Sequence, residues 1–175
     1  MTRAIYLIGF MGAGKTEIGK VLGEKSGSEV IDMDERIVKE AGMQISDMFN
    51  RYGEVYFREK ESQVLKVIGK DSTIVTTGGG VILKEENRGF LKEKGMVVFL
   101  QCRPEVIVNR LKDDLTRPLI RQKSLADIVD MYNARLPLYL ECADIVIDTT
   151  NLTIEEAASL IKERIKLGSK GNTSY

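Results

Sequence analysis

The chain has 175 residues, with 26 Lys+Arg against 26 Asp+Glu, no His, no Trp and two Cys. Zero formal net charge gives nucleic acid or an anionic membrane no bulk attraction, and the empty His column excludes a Ser-His-Asp triad, a Cys-His pair and His-ligated zinc. Cys102 and Cys142 are too few for a four-thiolate site, so a reducing cytoplasm is the expected compartment. The length and the 43% apolar share suit one compact domain.

In chain order, the short apolar runs predict strands at Ala4–Ile8, Glu29–Asp32, Thr73–Thr76, Met96–Leu100 and Asp144–Ile147. Most lack polar alternation, the pattern of strands buried on both faces. Helical patterns lie between them. One leaves the first strand at Thr16–Lys25, and another surrounds Val55–Ile68. A third opens at Ser124 with Asp127 and is expected to stop near Leu136, before Pro137. The last presents Ile154, Ala157, Ala158, Ile161 and Ile165 on one face behind a Thr153–Glu156 capping box. Alternating strands and helices predict a parallel sheet covered on both sides. The stretches 33–69 and 112–123 exceed what the alternation needs, and such insertions serve as substrate platforms or lids. Residues 168–175 are expected to fray. The longest uncharged run, 72–83, is too short to span a bilayer as a helix, and Lys15 interrupts the uncharged segment 4–14, so neither a membrane anchor nor a secretory signal is expected.

One motif dominates. Gly9-Phe-Met-Gly-Ala-Gly-Lys-Thr16 fits G-x-x-x-x-G-K-[ST] in full, with a predicted strand before it and a helix after it. Backbone N–H groups of such a loop turn inward around phosphate oxygens, Lys15 reaches the outer phosphates, and the Thr16 hydroxyl can ligate Mg²⁺. Neither an N-K-x-D nor a D-x-x-G segment occurs, which argues against a GTPase. The third strand ends not in an acidic residue but in Thr77-Gly-Gly-Gly80, where a ligand can approach bare backbone. Asp32 and Asp34, two apart, can share a side if the second strand reaches that far. One could hold Mg²⁺ through water and the other could accept a hydrogen bond from a substrate hydroxyl. The alternative is a solvated strand end followed by a helix N-cap. Arg58, Arg117 and Arg135 add groups suited to planar recognition of carboxylate or phosphate.

Taken together, G-F-M-G-A-G-K-T, the D-M-D after strand two, Phe57-Arg58, T-G-G-G, Arg117-Pro-Leu and Arg135-Leu-Pro-Leu-Tyr139 resemble the shikimate kinase family in order and spacing. The resemblance implies a three-layer α/β/α P-loop fold like that of nucleoside monophosphate kinases. Its parallel sheet would have five strands in order 2-3-1-4-5, within a single kinase domain over 1–175. It implies a P-loop at 9–16, a substrate-binding region at about 33–61 and a lid at about 112–124. The implied activity is transfer of a phosphoryl group from ATP, with Mg²⁺, to the 3-hydroxyl of shikimate, a step towards chorismate and the aromatic amino acids. By position, Arg58, Arg135 and Gly79 resemble the family's shikimate ligands, and Asp34 would hold ring hydroxyls and orient or deprotonate the attacking one. Gly12, Ala13, Gly14, Lys15, Thr16 and Glu17 would cradle the nucleotide, with Arg110 beside adenine. Lys15 and Arg117 would neutralise the transferring phosphoryl, while Thr16 and Asp32 would hold Mg²⁺. Glu17 departs mildly from the family, many of whose members carry another hydroxyl residue there. A cytoplasmic monomer with no nucleic-acid or membrane partner is implied. The competing readings are a gluconate or nucleoside monophosphate kinase and a non-catalytic nucleotide-binding relative. Retention of Lys15, Thr16, Asp34 and Arg117 argues against the last. The basic residues Lys15, Arg58, Arg110, Arg117 and Arg135 are expected to converge on one cleft, with the balancing acids mostly elsewhere on the surface.

Overall fold

A computed structural model of the chain describes residues 3–112 and 124–170. Five strands, β1 (Ala4–Ile8), β2 (Val30–Asp32), β3 (Ile74–Thr76), β4 (Gly95–Gln101) and β5 (Ile145–Asp148), form one parallel sheet in the order β2-β3-β1-β4-β5. This is the implied order, and each strand lies within a residue or two of its predicted bounds. Side chains of β1, β3 and β4 are almost wholly buried, as their unalternating sequences require. Leu7 pairs with both Thr76 and Val98, and Asp32 pairs with Thr76. That register ends β1, β2 and β3 at a common edge. The glycine loop, Asp32 and the T-G-G-G segment therefore emerge side by side.

Seven α-helices are described: α1 (Lys15–Ser26), α2 (Met33–Ala41), α3 (Ile45–Val67), α4 (Glu85–Lys94), α5 (Pro104–Lys112), α6 (Leu125–Cys142) and α7 (Ile154–Lys170). They cover both sides of the sheet, with α1 packed on α7, and α6 packed on α4 and α5. The predicted stripe of α7 is the buried one, and Thr153 and Glu156 cap it reciprocally. Ser124 and Asp127 form the same box at α6.

Two expectations fail. Helix α6 does not stop before Pro137 but runs through it to Cys142. Pro137 and Asn133 are both exposed, so water can solvate the carbonyl that proline leaves without a donor. Tyr139 and Cys142, buried beyond it, anchor the continuation. The helix expected around Val55–Ile68 is present as the second segment of α3, which breaks at Gly53 (φ 81°, ψ 174°), a backbone shape glycine tolerates, and runs on to Val67. The expected fraying at 168–175 is contradicted over 168–170, where α7 continues, because helix propagates readily from a capped, buried start. Residues 171–175 lie outside the described residues.

Candidate active site

The loop from Gly9 to Gly14 carries the chain from β1 into α1. Gly12 and Gly14 hold left-handed backbone angles (φ 77° and 90°), and Ala13 N donates to Phe10 O at 3.2 Å to close the turn. No side chain caps α1 at Gly14, so its first-turn N–H groups are left to a bound anion. Lys15 Nζ donates to the loop carbonyls of Gly9 (2.8 Å) and Phe10 (3.0 Å). Arg110, from α5, donates to Gly12 O at 3.3 Å from the outer side. Glu17 is turned to solvent and pairs with Lys20.

Beside the loop, Asp32 Oδ2 accepts hydrogen bonds from the hydroxyls of Thr16 (2.9 Å) and Thr76 (2.8 Å). Its Oδ1 accepts from Asp34 N (2.9 Å) and Glu35 N (3.2 Å), which makes it the N-cap of α2. The idea that Asp32 and Asp34 share a strand face is therefore overturned. The strand ends at Asp32, because its side chain turns back to nucleate a helix, and Asp34 sits on the first turn of α2. Hydroxyl and carboxylate at hydrogen-bond distance beside a phosphate cradle form a hard-oxygen donor pair that suits Mg²⁺.

A cleft of about 410 Å³ opens at the same sheet edge, between the start of α2, α3, the T-G-G-G segment and α6. Asp34, Arg58, Gly79 and Arg135 all line it, together with Met11 of the P-loop. The three glycines allow three different close approaches. A Cβ on Gly78 would lie 2.7 Å from Glu61 Oε1 and 3.1 Å from Asp34 Oδ1. On Gly79 it would lie 3.2 Å from Met11 N, and on Gly80 it would run into the Arg58 guanidinium. Gly79 is thus the wall shared by cleft and cradle.

Arg58 is bonded twice over. Its Nη1 donates to Glu61 Oε2 at 2.8 Å, while Nε and Nη2 both donate to Glu54 Oε1 at 3.2 and 3.1 Å. Glu61 is fully buried, and its Oε1 has no hydrogen-bond partner among the described residues. Burial raises its pKa above the ordinary 4.5, against the pull of Arg58, and nearby Asp34 pushes the same way. Arg135 has no ion pair among the described residues and lies over the Phe10 ring, its Cζ 5.7 Å from the centroid. The expectation that balancing acids lie elsewhere is contradicted at this cleft. Among the described residues, three carboxyl groups, Asp34, Glu54 and Glu61, line it with two guanidinium groups, because a guanidinium this buried needs acceptors.

Sequence reasoning missed Glu54, Glu61 and Tyr139 as site residues. The signal for Glu61 was present: it falls on the buried stripe of α3 with Phe57, Val64 and Leu65, where a carboxylate needs a partner. Tyr139 is fully buried, stacks on Phe99 (centroids 4.9 Å apart, 10° between planes) and donates its hydroxyl to Gly79 O at 2.5 Å. Burial raises its pKa strongly, so it remains a donor. It ties the helix carrying Arg135 to the glycine wall. Cys102 and Cys142 are buried free thiols away from the cleft lining, and burial pushes Cys142 up to about 11. Of the expected lid at 112–124, residues 113–123, Arg117 among them, lie outside the described residues.

A P-loop on the first strand of a parallel 2-3-1-4-5 sheet, with a polar cleft sharing its wall, defines a small-molecule kinase of the nucleoside-monophosphate-kinase architecture. The family model for shikimate kinase matches residues 11–166. The shikimate kinase of Bacillus anthracis is 44% identical over 163 residues, covering 93% of this chain and 98% of that protein. The structure of shikimate kinase from Acinetobacter baumannii in complex with shikimate superposes with a TM-score of 0.88 at 36% identity, covering 99% of this chain and 97% of that one. That of Aquifex aeolicus gives 0.83 at 33% identity, covering 97% and 99%. The chain belongs to the shikimate kinase family and is a kinase that transfers phosphate to a shikimate hydroxyl.

Proposed function

We propose that the P-loop holds the ATP phosphates while the cleft at Gly79 holds shikimate, so that the 3-hydroxyl meets the γ-phosphoryl across the Gly79 wall. The observation that carries this reading is the contact between the two sites: a Cβ on Gly79 would lie 3.2 Å from Met11 N and 3.5 Å from Gly9 O, so the cleft wall lies against the backbone of the cradle. Phosphoryl transfer needs alignment and charge neutralisation rather than a covalent intermediate, and both groups are to hand. Arg58 and Arg135 bind the substrate carboxylate, and Gly79 supplies backbone to the ring. Asp34 accepts hydrogen bonds from ring hydroxyls and orients, or takes the proton from, the attacking oxygen. On the donor side, Gly12, Ala13 and Gly14 present backbone N–H groups. Lys15 exchanges its loop carbonyls for phosphate oxygens, and Arg110 lies beside the nucleotide base. Glu17 belongs to the cradle only through its backbone N–H. Mg²⁺, when bound, neutralises phosphate charge, with Thr16 as its hydroxyl ligand and Asp32 behind it. The assignment of Arg117 to the transferring phosphoryl rests on its sequence motif.

The whole chain is read as one kinase domain that works as a cytoplasmic monomer. Among the described residues no helix is long and apolar enough to cross a membrane. Purified protein with ATP, Mg²⁺ and shikimate is expected to release ADP in step with shikimate 3-phosphate. ADP release no higher than in a shikimate-free control would refute the reading.

A further inference from the structure

The two glutamates on Arg58 differ in kind. Glu61 is fully buried, reaches Nη1 from one turn ahead on α3, and cannot leave without burying its charge elsewhere. Glu54 is 58% exposed and sits on the rim of the cleft, one residue past the bend at Gly53. A single oxygen of Glu54 takes both Nε and Nη2, the edge of a guanidinium that offers a carboxylate two near-parallel bonds. Arg135, facing the same cleft, has no such carboxylate among the described residues. With all groups ionised, Asp34, Glu54 and Glu61 against Arg58 and Arg135 leave the described part of the lining with one excess negative charge. That is an unfavourable balance for a pocket that receives an anionic acid, and Glu54 is the one acid of the three that solvent can take back at little cost.

We infer that Glu54 is an exchangeable internal competitor for the substrate carboxylate: it occupies the Nε and Nη2 donors of Arg58 until the acid, held first by Arg135, displaces it into water. This rests on the acceptor assignment above. The exchange involves no covalent step, only the replacement of one carboxylate by another on the same donors. Two consequences follow from the geometry. Glu54 lowers affinity for the substrate, since part of the new interaction replaces an existing one. It also keeps weaker anions off Arg58, because an ion that cannot also engage Arg135 has little with which to displace it.

The test compares wild type with Glu54→Gln, an isosteric change at an exposed position. Shikimate affinity is measured by calorimetry, and the Michaelis constants for shikimate and ATP by ADP release. The variant is expected to bind shikimate about two- to fivefold more tightly, the range set by the loss of one exposed ion pair. Its ratio of shikimate to ATP Michaelis constants is expected to fall in parallel, and inorganic sulfate is expected to inhibit it more strongly than wild type. Weaker shikimate binding by the variant would mean that Glu54 holds Arg58 in place, and unchanged binding would mean that the pair is idle. Either result overturns the inference while leaving the acceptor assignment intact. A wild-type protein that bound no shikimate would instead overturn the assignment itself, and the competitor with it.

Discussion

Arg58 and Arg135 carry the same charge into one cleft, but among the described residues only Arg58 is ion-paired with carboxylates. Truncating Arg135 removes a guanidinium that is in no ion pair among the described residues, so in the proposed arrangement its main cost is a substrate contact. Arg135→Ala is expected to weaken shikimate binding by about 1.5–3 kcal/mol for one charge-assisted hydrogen bond, more if bidentate. Calorimetric titration with shikimate checks this, and normal binding would remove Arg135 from the clamp. Glu61 makes a different prediction. The folded protein holds its proton more tightly than the unfolded chain does, chiefly because of burial. Its contribution to stability is complete below the ordinary value of 4.5 and is lost as pH rises through the raised folded value. Glu61→Gln has no such proton to lose. Between pH 4 and pH 7 its stability relative to wild type, measured by urea unfolding, is expected to shift in favour of the variant. A shift the other way would show that the pull of Arg58 outweighs burial.

At the scale of elements, Asp32 does two jobs through two oxygens: Oδ1 caps α2 and Oδ2 binds the hydroxyls of Thr16 and Thr76. Asparagine caps a helix about as well as aspartate but lacks the charge that a metal-bound shell wants. Asp32→Asn is expected to keep its unfolding midpoint and lose activity, whereas Asp32→Ala loses activity and about 0.5–2 kcal/mol of stability as well. Denaturation curves beside the ADP assay separate the two, and equal stabilities would mean that the cap contributes nothing. The same region marks where sequence was a sufficient guide and where it was not. Strands, the capping boxes and the P-loop follow from local pattern, because buried parallel strands and phosphate loops have few alternatives in sequence. The turn of Asp32 into a helix cap was readable only as one of two options. The passage of α6 through Pro137 depends on solvent at Asn133 and on the burial of Tyr139, neither of which a local pattern contains. The cleft was legible through its arginines and Asp34. Its glutamates were hidden, because a glutamate on a helix reads as surface until the buried face is known.

For the molecule as a whole, the proposed chemistry depends on how cradle and cleft meet, and they meet at glycines. Neither Gly79 nor Gly80 has a left-handed backbone, so alanine at either position is opposed by space rather than by strain. A methyl group on Gly79 would lie 3.2 Å from Met11 N, 3.5 Å from Gly9 O and 3.6 Å from Phe10 C, all of them backbone atoms of the cradle. On Gly80 its nearest neighbours would be the atoms of the Arg58 guanidinium, the far end of a side chain on the acceptor side. Tyr139 holds the Gly79 carbonyl at 2.5 Å, so the wall cannot retreat toward α6 without pressing that oxygen into the hydroxyl. Gly79→Ala is therefore expected to raise the Michaelis constants for both ATP and shikimate and to lower turnover, since a few tenths of an ångström at the P-loop misplaces the phosphate as well as the ring. Gly80→Ala is expected to raise the constant for shikimate alone. Steady-state kinetics with each substrate varied in turn distinguish the two. If Gly79→Ala disturbed only one substrate, the shared wall would be a matter of proximity, and the alignment of hydroxyl and phosphoryl would have to be set by other groups.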